Sequence, residues 1–275
     1  MLDFVHLHVH TQYSLLDGQA SIPRLVDKAM RDGQRGIAVT DHGNMFAIKE
    51  FYNYVKKQNG KKHDKIKGYK KLLEKMDNLL KEYPDPLLRL DELKREIAPL
   101  DVKMKSDEAM PEEAESYSKL RLQIDDIEAM NKDFGFDRVR AEEKISELES
   151  VPDFKPIIGC EVYVARRSME LKDKSVKEDQ GGWHLILLAK NLKGYHNLIK
   201  IVSKAWTEGF YMRPRTDRRE LERYHEGLIC CSACLGGEVP KRITSNQMAE
   251  AEEAVQWYKS VFGDDYYLEL QLHRA

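Results

Sequence analysis

Short apolar runs alternate with helical segments along most of this chain, and the alternation limits its fold more than any other feature. The predicted strands are 4–10, 36–40, 156–159, 162–164, 184–189, 227–232 and 266–272. The predicted helices are 21–31, 45–57, 194–204 and 248–262. A chain that alternates strands with helices commonly folds into parallel β/α units. We therefore expect an α/β fold, either a β/α barrel or a doubly wound sheet.

A highly charged segment interrupts this alternation between residues 61 and 150. Its apolar side chains recur three and four residues apart, in the two stripes Leu72, Met76, Leu79, Tyr83 and Tyr117, Leu120, Ile124, Ile127. This spacing predicts three or four amphipathic helices, which we expect to form an antiparallel arm. The preceding helix, 45–57, should end at the turn signal Asn59-Gly60. The predicted domains are thus one formed by 1–60 and 151–275, and an inserted helical arm, 61–150.

Composition excludes several classes of protein. The 275 residues include 45 basic and 47 acidic side chains, so the chain lacks the basic excess of a free-standing nucleic-acid binder. No apolar run approaches the roughly 18 residues that span a bilayer, and the amino terminus does not resemble a secretory signal. Four cysteines are too few for a disulfide framework at this length. We expect a cytoplasmic protein with reduced thiols and no membrane contact.

A pair of histidines ends the first predicted strand. His8 and His10 are two residues apart, and side chains at this spacing project from the same face of a strand. Both imidazoles can therefore bind one metal ion, although the pair alone is a weak signal. Asp17 adds a carboxylate soon afterwards. His6 shares the face but lies one layer deeper, so we expect it to pack in the core.

Further side chains of the same chemistry follow other strands. Asp41 and His42 end the second strand, Glu161 follows the third, and Cys234 follows the sixth. Barrels and open sheets both place active sites at the carboxyl ends of their strands, so these groups should meet. They are ligands suited to zinc, iron or manganese. His184 precedes its apolar strand, and the pattern does not place it on this edge.

Two other interpretations of the motifs find little support. The sequence Cys231-Ser232-Ala233-Cys234 has CxxC spacing, but Leu235-Gly236-Gly237 is a poor helix opening for a redox motif. A zinc ribbon would need a second CxxC, which is absent. Cys231 should pack in the strand while Cys234 faces the site. No GxGxxG or GxxxxGK[ST] motif lies between a strand and a helix, so nucleotide binding is not indicated.

Five stretches outside residues 61–150 follow one another in a recognisable order. They are His8-Val9-His10-Thr11-Gln12-Tyr13-Ser14-Leu15-Leu16-Asp17-Gly18, Thr40-Asp41-His42-Gly43-Asn44-Met45-Phe46, Lys155-Pro156-Ile157-Ile158-Gly159-Cys160-Glu161, His184-Leu185 with Gly194-Tyr195-His196-Asn197-Leu198, and Gly227-Leu228-Ile229 with Cys234-Leu235-Gly236-Gly237-Glu238-Val239. Together they resemble the PHP (polymerase and histidinol phosphatase) domain found at the amino terminus of bacterial DNA polymerase III alpha subunits.

The resemblance implies a distorted β/α barrel that holds up to three divalent metal ions, with zinc preferred over manganese or iron. Carried over by position, the ligands are His8, His10, Asp17, His42, Glu161, His184 and Cys234, with Glu161 bridging two ions. The family completes its site with a later Asp-x-His pair, which this chain lacks. We therefore expect an incomplete site. His273 belongs to the region of the last strand and is not assigned as a ligand.

The resemblance also implies a function. The parent protein would be a DNA-directed DNA polymerase, a nucleotidyltransferase of DNA replication that binds DNA and other replisome subunits. This domain would be a metal-dependent phosphodiester hydrolase for 3′–5′ proofreading, or the remnant of such an exonuclease. Asp41 could orient a ligand or assist proton transfer. The fragment itself would be monomeric, and the arm at 61–150 should project away from the metals, because αβ loops of a barrel lie opposite the active site.

The sequence is compatible with two other functions. The domain could be purely structural, bracing a polymerase and docking its partners without catalysis. It could also be a free-standing phosphoesterase of the histidinol-phosphatase type, although Ser203-Lys204-Ala205-Trp206 and Arg213-Pro214-Arg215 resemble the polymerase more closely. Arg213, Arg215, Arg218 and Arg219 form a basic cluster, for which a solvated loop is favoured over DNA contact.

Overall fold

The computed structural model describes residues 4–15, 17–106 and 108–271. The chain forms two compact units, one comprising Met1–Lys57 and Asp153–Ala275 and the other Gln58–Pro152. The helices are α1 (Ile22–Arg31), α2 (Ile48–Glu82), α3 (Pro86–Lys105), α4 (Pro111–Phe134), α5 (Arg138–Ser150), α6 (Leu192–Thr207), α7 (Arg218–Tyr224), α8 (Glu238–Thr244) and α9 (Met248–Phe262). The strands are β1 (Gly36–Val39), β2 (Lys155–Val164), β3 (Trp183–Ala189), β4 (Arg215–Thr216), β5 (Leu228–Cys231) and β6 (Tyr266–Tyr267).

The six strands form one mixed sheet in the first unit, which confirms the α/β class. The order is β1-β2-β3-β5-β6, and β4 pairs with the end of β2. β3 runs antiparallel to both β2 and β5, so the prediction of uniformly parallel β/α units was wrong. Within the described residues no pairing joins β1 to β6, and the sheet is open rather than closed into a barrel.

The long strand β2 organises the sheet because its two halves pair differently. Its first half pairs in parallel with β1, with Ile158 opposite Val39. Its second half pairs antiparallel with β3, with Tyr163 opposite His184. Glu161 lies where the partner changes, bridged to His42 just past the end of β1 and opposite Ile186 of β3. Apolar side chains of β2, β3, α6 and α9 form the main core, which includes Val162, Leu187, Leu198 and Tyr258.

The segment before α1 differs from the predicted strand 4–10. Its described part, residues 4–10, forms no regular strand, and it contacts the first sheet strand through bonds from the Ala38 amide to the His6 carbonyl and from the Thr40 amide to the Val9 carbonyl. The His6 ring is exposed and packs edge-on against Phe4, so the prediction of a core histidine was wrong.

Several predicted boundaries also changed. The helix predicted at 45–57 continues to Glu82 as α2, through Asn59 and Gly60. An internal glycine costs a helix only about 1 kcal/mol, and the packing of Leu72 and Met76 further along outweighs it. The last predicted strand is reduced to the two residues of β6, while α7 and α8 were not predicted. His273 lies outside the described residues.

The second unit is a set of helices around two small apolar clusters. One cluster joins Leu93 and Ile97 of α3 to Ile124 and Ile127 of α4. The other contains Met76, Met130, Phe134 and Ala141. Ion pairs join Lys94 to Glu128 and Lys103 to Glu113, so α3 and α4 are antiparallel. Residues of both predicted stripes belong to these two apolar clusters. Among the described residues, no helix is sufficiently long and apolar to cross a membrane.

Candidate metal centre

Glu161 is the centre of a cluster of imidazoles at the carboxyl end of β2. Its side chain is 0% exposed. Backbone hydrogen bonds from the Glu161 amide to the Asp41 carbonyl and from the Gly43 amide to the Glu161 carbonyl extend the β1–β2 pairing past the end of β1. His42 is thereby bridged directly to Glu161. Gly43 has a φ of +61°, and a Cβ there would lie 2.6 Å from Pro214.

The two carboxylate oxygens of Glu161 face different histidines. Oε2 lies 2.7 Å from Nε2 of His8 and 2.8 Å from Nε2 of His10. Oε1 lies 3.4 Å from Nδ1 of His42 and also contacts Nδ1 of His184. One buried carboxylate therefore has four imidazoles around it, in two pairs.

Six of the seven predicted ligands form three overlapping triads. The triads are His8, His10, Glu161; His10, Asp17, His42; and His42, Glu161, His184, and the candidate ligand atoms of each lie within 4.8 Å of one another. Asp17 completes the middle triad, with its carboxylate 2.7 Å from Nε2 of His42 and 3.6 Å from Nδ1 of His10. Each triad shares members with another, so the six side chains form one continuous cluster that could hold a metal ion.

His184 and Cys234 lie together beside the third triad. His184 is near the beginning of β3, and the antiparallel direction of that strand brings its beginning to the edge where β2 ends. The sequence pattern missed this position because it assumed parallel strands. Cys234 Sγ lies 3.8 Å from His184 Nδ1 and accepts a bond from the Gly236 amide. A Cβ on Gly236 would lie 2.7 Å from the same nitrogen, so the imidazole requires glycine there.

Asp41 lies next to the cluster but does not join it. Its buried carboxylate accepts hydrogen bonds from the Thr11 amide and hydroxyl and from the Ser14 hydroxyl, at 2.6, 2.8 and 2.6 Å. The Ser14 hydroxyl in turn accepts a bond from the His42 amide. Asp41 therefore holds the backbone next to His10 and His42 in place.

Sequence reasoning missed two other side chains of the site. Glu269 follows β6, and its Oε1 lies 2.7 Å from Nδ1 of His8, on the side of the imidazole away from Glu161. Tyr163 stacks on His42 with a centroid separation of 6.1 Å and meets His184 edge-on. A lone acidic residue after a short strand gives no signal of its role. Tyr163 could have been found, because it lies two residues after Glu161 and side chains at this spacing project from the same face of a strand.

The ionisable groups of the cluster shift one another strongly. Burial lowers the pKa of His8, but hydrogen bonds to Glu161 and Glu269 outweigh burial and raise it to about 10. Burial likewise lowers the pKa of His184, and the bonds to Cys234 and Glu161 raise it to about 9. Burial raises the pKa of Glu161, but bonds from the histidines hold it far below its usual range. The cluster thus keeps its carboxylate ionised.

The thiol and the outer carboxylate are shifted towards their ligand forms. The hydrogen bond to His184 lowers the pKa of Cys234 and so favours the thiolate, the form that binds metals. Burial raises the pKa of Asp17, but its hydrogen bond to His42 outweighs burial, so the pKa lies below its usual value. Oε1 of Glu161 and Nδ1 of His42 are buried and, within the described part of the chain, make no hydrogen bond of good geometry. Buried acceptors of this kind fit a bound cation.

Comparison with known proteins agrees with this geometry. The PHP domain family matches residues 6–88 and 103–273, which is most of the chain and includes every residue of the three triads. The chain belongs to the PHP domain family. The resemblance inferred from the five motifs is thereby confirmed.

The chain is also similar to DNA polymerase III alpha subunits. It is 34% identical over 273 residues to the subunit from Borreliella burgdorferi, 31% over 274 residues to that from Treponema pallidum, and 31% over 273 residues to that from Aquifex aeolicus. These alignments cover 98 to 99% of this PHP chain. The chain spans about 15% of the length of these relatives.

Proposed function

We propose that this PHP domain hydrolyses phosphodiester bonds with the help of divalent metal ions, as a 3′–5′ proofreading exonuclease or the remnant of one. The observation that carries the proposal is the position of Glu161, buried among four imidazoles and shared between two triads. An ionised carboxylate at this depth is costly unless cations compensate it. A cluster of this composition is typical of hydrolytic metal sites.

The residues that would hold metal are His8, His10, Asp17, His42, Glu161, His184 and Cys234. Zinc is the preferred metal, with manganese or iron as alternatives, and up to three ions could share the site. Bound metal would lower the pKa of a water molecule and stabilise charge on the phosphoryl oxygens. Glu161 would contribute both of its carboxylate oxygens to the site, since each oxygen faces a different pair of imidazoles. Asp41 would position His10 and His42 rather than touch the substrate.

The whole protein to which this chain corresponds would be a DNA polymerase III alpha subunit. The similarity to three such subunits along nearly the entire chain supports this proposal. DNA-directed DNA synthesis, binding to DNA and binding to other replisome subunits would then belong to the whole protein. In that setting the open sheet would be part of a distorted barrel, with 61–150 as its helical insertion. A gene that ends near codon 275 would instead favour a free-standing phosphoesterase.

The test uses the complete polymerase subunit, purified without other exonucleases. Release of 3′ nucleotides from single-stranded DNA is measured with zinc, manganese or iron, for wild type and for His10→Ala. His196→Ala is the matched control, because His196 is an exposed histidine on α6. We expect His10→Ala to lose cleavage while DNA synthesis continues, and His196→Ala to keep both. Undiminished cleavage in His10→Ala would refute the proposal.

A structural role is the second candidate, and one observation favours it. His8 and His10 hydrogen-bond directly to Glu161, so the ligand side chains already hold two segments of the fold together, the segment before α1 and the strand β2. A domain with only this role would have a lower melting temperature when metal is removed, and it would not cleave DNA in the presence of any of the metals. The same assays therefore separate the two functions.

A further inference from the structure

A cavity of about 250 Å³ opens next to the metal centre on the side of His184. Three of its lining side chains are cationic, namely Arg166, Arg213 and Lys241. The rest of the described lining is neutral or histidine and contains no carboxylate. His184 is a member of both the cavity wall and the third triad, so the cavity and the candidate metal centre share a boundary.

The cations of the cavity differ from their neighbours in how their charge is balanced. Arg167, next in sequence to Arg166, makes a bidentate ion pair with Asp179. Arg242, next to Lys241, pairs with Glu238. In contrast, none of the three cavity cations has a carboxylate within ion-pair distance among the described residues. The positive charge of the cavity is thus not balanced by any carboxylate in the part of the chain that the structure describes.

Aromatic contacts hold two of these cations in place. The Arg166 guanidinium lies over the Trp183 ring at 4.3 Å, and the Arg213 guanidinium lies over the Tyr163 ring at 4.8 Å. Arg213 also donates a hydrogen bond to the Tyr163 hydroxyl at 2.8 Å. Since Tyr163 stacks on His42, one face of the cavity is built on the same aromatic group as the metal centre. The guanidinium groups keep further donors that can bind an anion.

The loop beneath the cavity is fixed from inside by Arg215. This side chain is 0% exposed and donates hydrogen bonds to the carbonyls of Gly209, Met169, Leu171 and Asp179. Arg215 therefore cannot contact DNA, and the prediction of a solvated basic cluster is wrong for this member. The fixed loop carries Arg166 and Gln180 to the rim of the cavity.

We infer that this cavity binds a backbone phosphate of single-stranded DNA, next to the phosphodiester held at the metal centre. The inference rests on the proposed function and deepens it, because it assigns Arg166, Arg213 and Lys241 to substrate binding. Phosphate accepts bidentate hydrogen bonds from arginine, and it is attracted electrostatically to the ammonium group of lysine. Unpaired cations beside a hydrolytic centre would hold the neighbouring nucleotide while one bond is cleaved.

The test measures binding rather than cleavage. A fluorescent oligothymidylate with phosphorothioate linkages is titrated into the present chain, metal-free and metal-loaded, at several salt concentrations. Arg166→Gln and Lys241→Gln are compared with the control variant Lys193→Gln. Lys193 is an exposed lysine of α6, and its neighbour Leu192 lines a groove at the opposite edge of the sheet. We expect each cavity variant to bind about tenfold more weakly. The dependence of log affinity on log salt should fall by about 0.7 for each lost phosphate contact.

The control should match wild type in affinity and in salt dependence. Equal affinity of Arg166→Gln, Lys241→Gln and wild type at every salt concentration would overturn the inference, even if the domain cleaves DNA. Conversely, a wild type that never cleaves DNA, with cavity variants that still bind more weakly, would refute the proposed hydrolysis and support the phosphate site. Failure of the two proposals is therefore distinguishable.

Discussion

The two units use charged side chains in opposite ways. In the second unit, ion pairs such as Glu115–Lys119 and Arg121–Asp125 lie on exposed helix faces. None of the buried polar or charged side chains of the described residues falls within 58–152. The first unit instead buries Asp41, Glu161 and Arg215 at 0 to 1% exposure. Because buried charge is costly, the first unit must compensate these groups with hydrogen bonds and ion pairs, whereas the second unit leaves its charges in solvent.

The largest effect is expected from the apolar core of the second unit. Phe134 is 0% exposed and packs against Tyr69 and other core side chains. Phe134→Ala should lower the free energy of unfolding by about 4 kcal/mol, because it leaves a cavity. The measurement is urea unfolding followed by circular dichroism, with Phe136→Ala as a less buried comparison. A loss below about 1 kcal/mol would mean that this core contributes little.

A somewhat smaller effect is expected from a buried charge of the first unit. Arg215→Met keeps most of the side-chain volume but leaves carbonyls of Gly209, Met169 and Leu171 without their donor. Unfolding free energy should fall by about 3 kcal/mol. Tryptophan fluorescence is the suitable probe, because Trp183, Trp206 and Trp257 all belong to the first unit. A variant as stable as wild type would show that the buried arginine is replaceable by apolar packing.

The pH dependence of stability tests the ion pair between Arg167 and Asp179 in the first unit. Hydrogen bonds from Arg167 lower the pKa of Asp179 below its usual 3.8. A lowered pKa contributes stability above pH 3.8, and that stability is lost as the pH falls through the pKa of the folded state. Arg167→Gln should therefore lower the melting temperature at pH 6, and the difference from wild type should shrink below pH 3.8. A difference that grows on acidification would contradict this assignment.

The smallest effect is expected from the exposed charges of the second unit. Arg121 and Asp125 are each 53% exposed and form an i,i+4 pair on α4. Arg121→Ala should change the free energy of unfolding by less than about 0.5 kcal/mol, since solvent screens such pairs. Urea unfolding monitored by circular dichroism provides the measurement. A loss near 2 kcal/mol would break the contrast between the two units.

Much of the candidate site could be predicted because its residues follow strands that the sequence shows clearly. His8, His10, His42 and Glu161 were assigned from strand ends and motif resemblance, and the structure brings them together. His184 could be carried over only from the resemblance, because the antiparallel direction of β3 is a long-range property of the sheet. Glu269 had no signal, since its contact with His8 depends on how β6 joins the sheet.

The limits of the fold prediction have similar physical causes. The length of α2 was misjudged because a local turn signal at Asn59-Gly60 is weak against packing that lies further along the helix. The open, mixed sheet could not be told from a parallel one, because helix and strand alternation is compatible with both. Local patterns therefore determined element types, and long-range pairing determined their directions and ends.

Metal content is the most direct test of the claim that Glu161 organises a metal centre. The present chain is purified without chelator or histidine tag, and bound zinc, manganese and iron are measured for wild type, Glu161→Gln and His196→Ala. We predict one or more equivalents of metal in wild type and in His196→Ala, and a large loss in Glu161→Gln. A well-folded wild type without metal, or equal metal content in Glu161→Gln, would contradict the account.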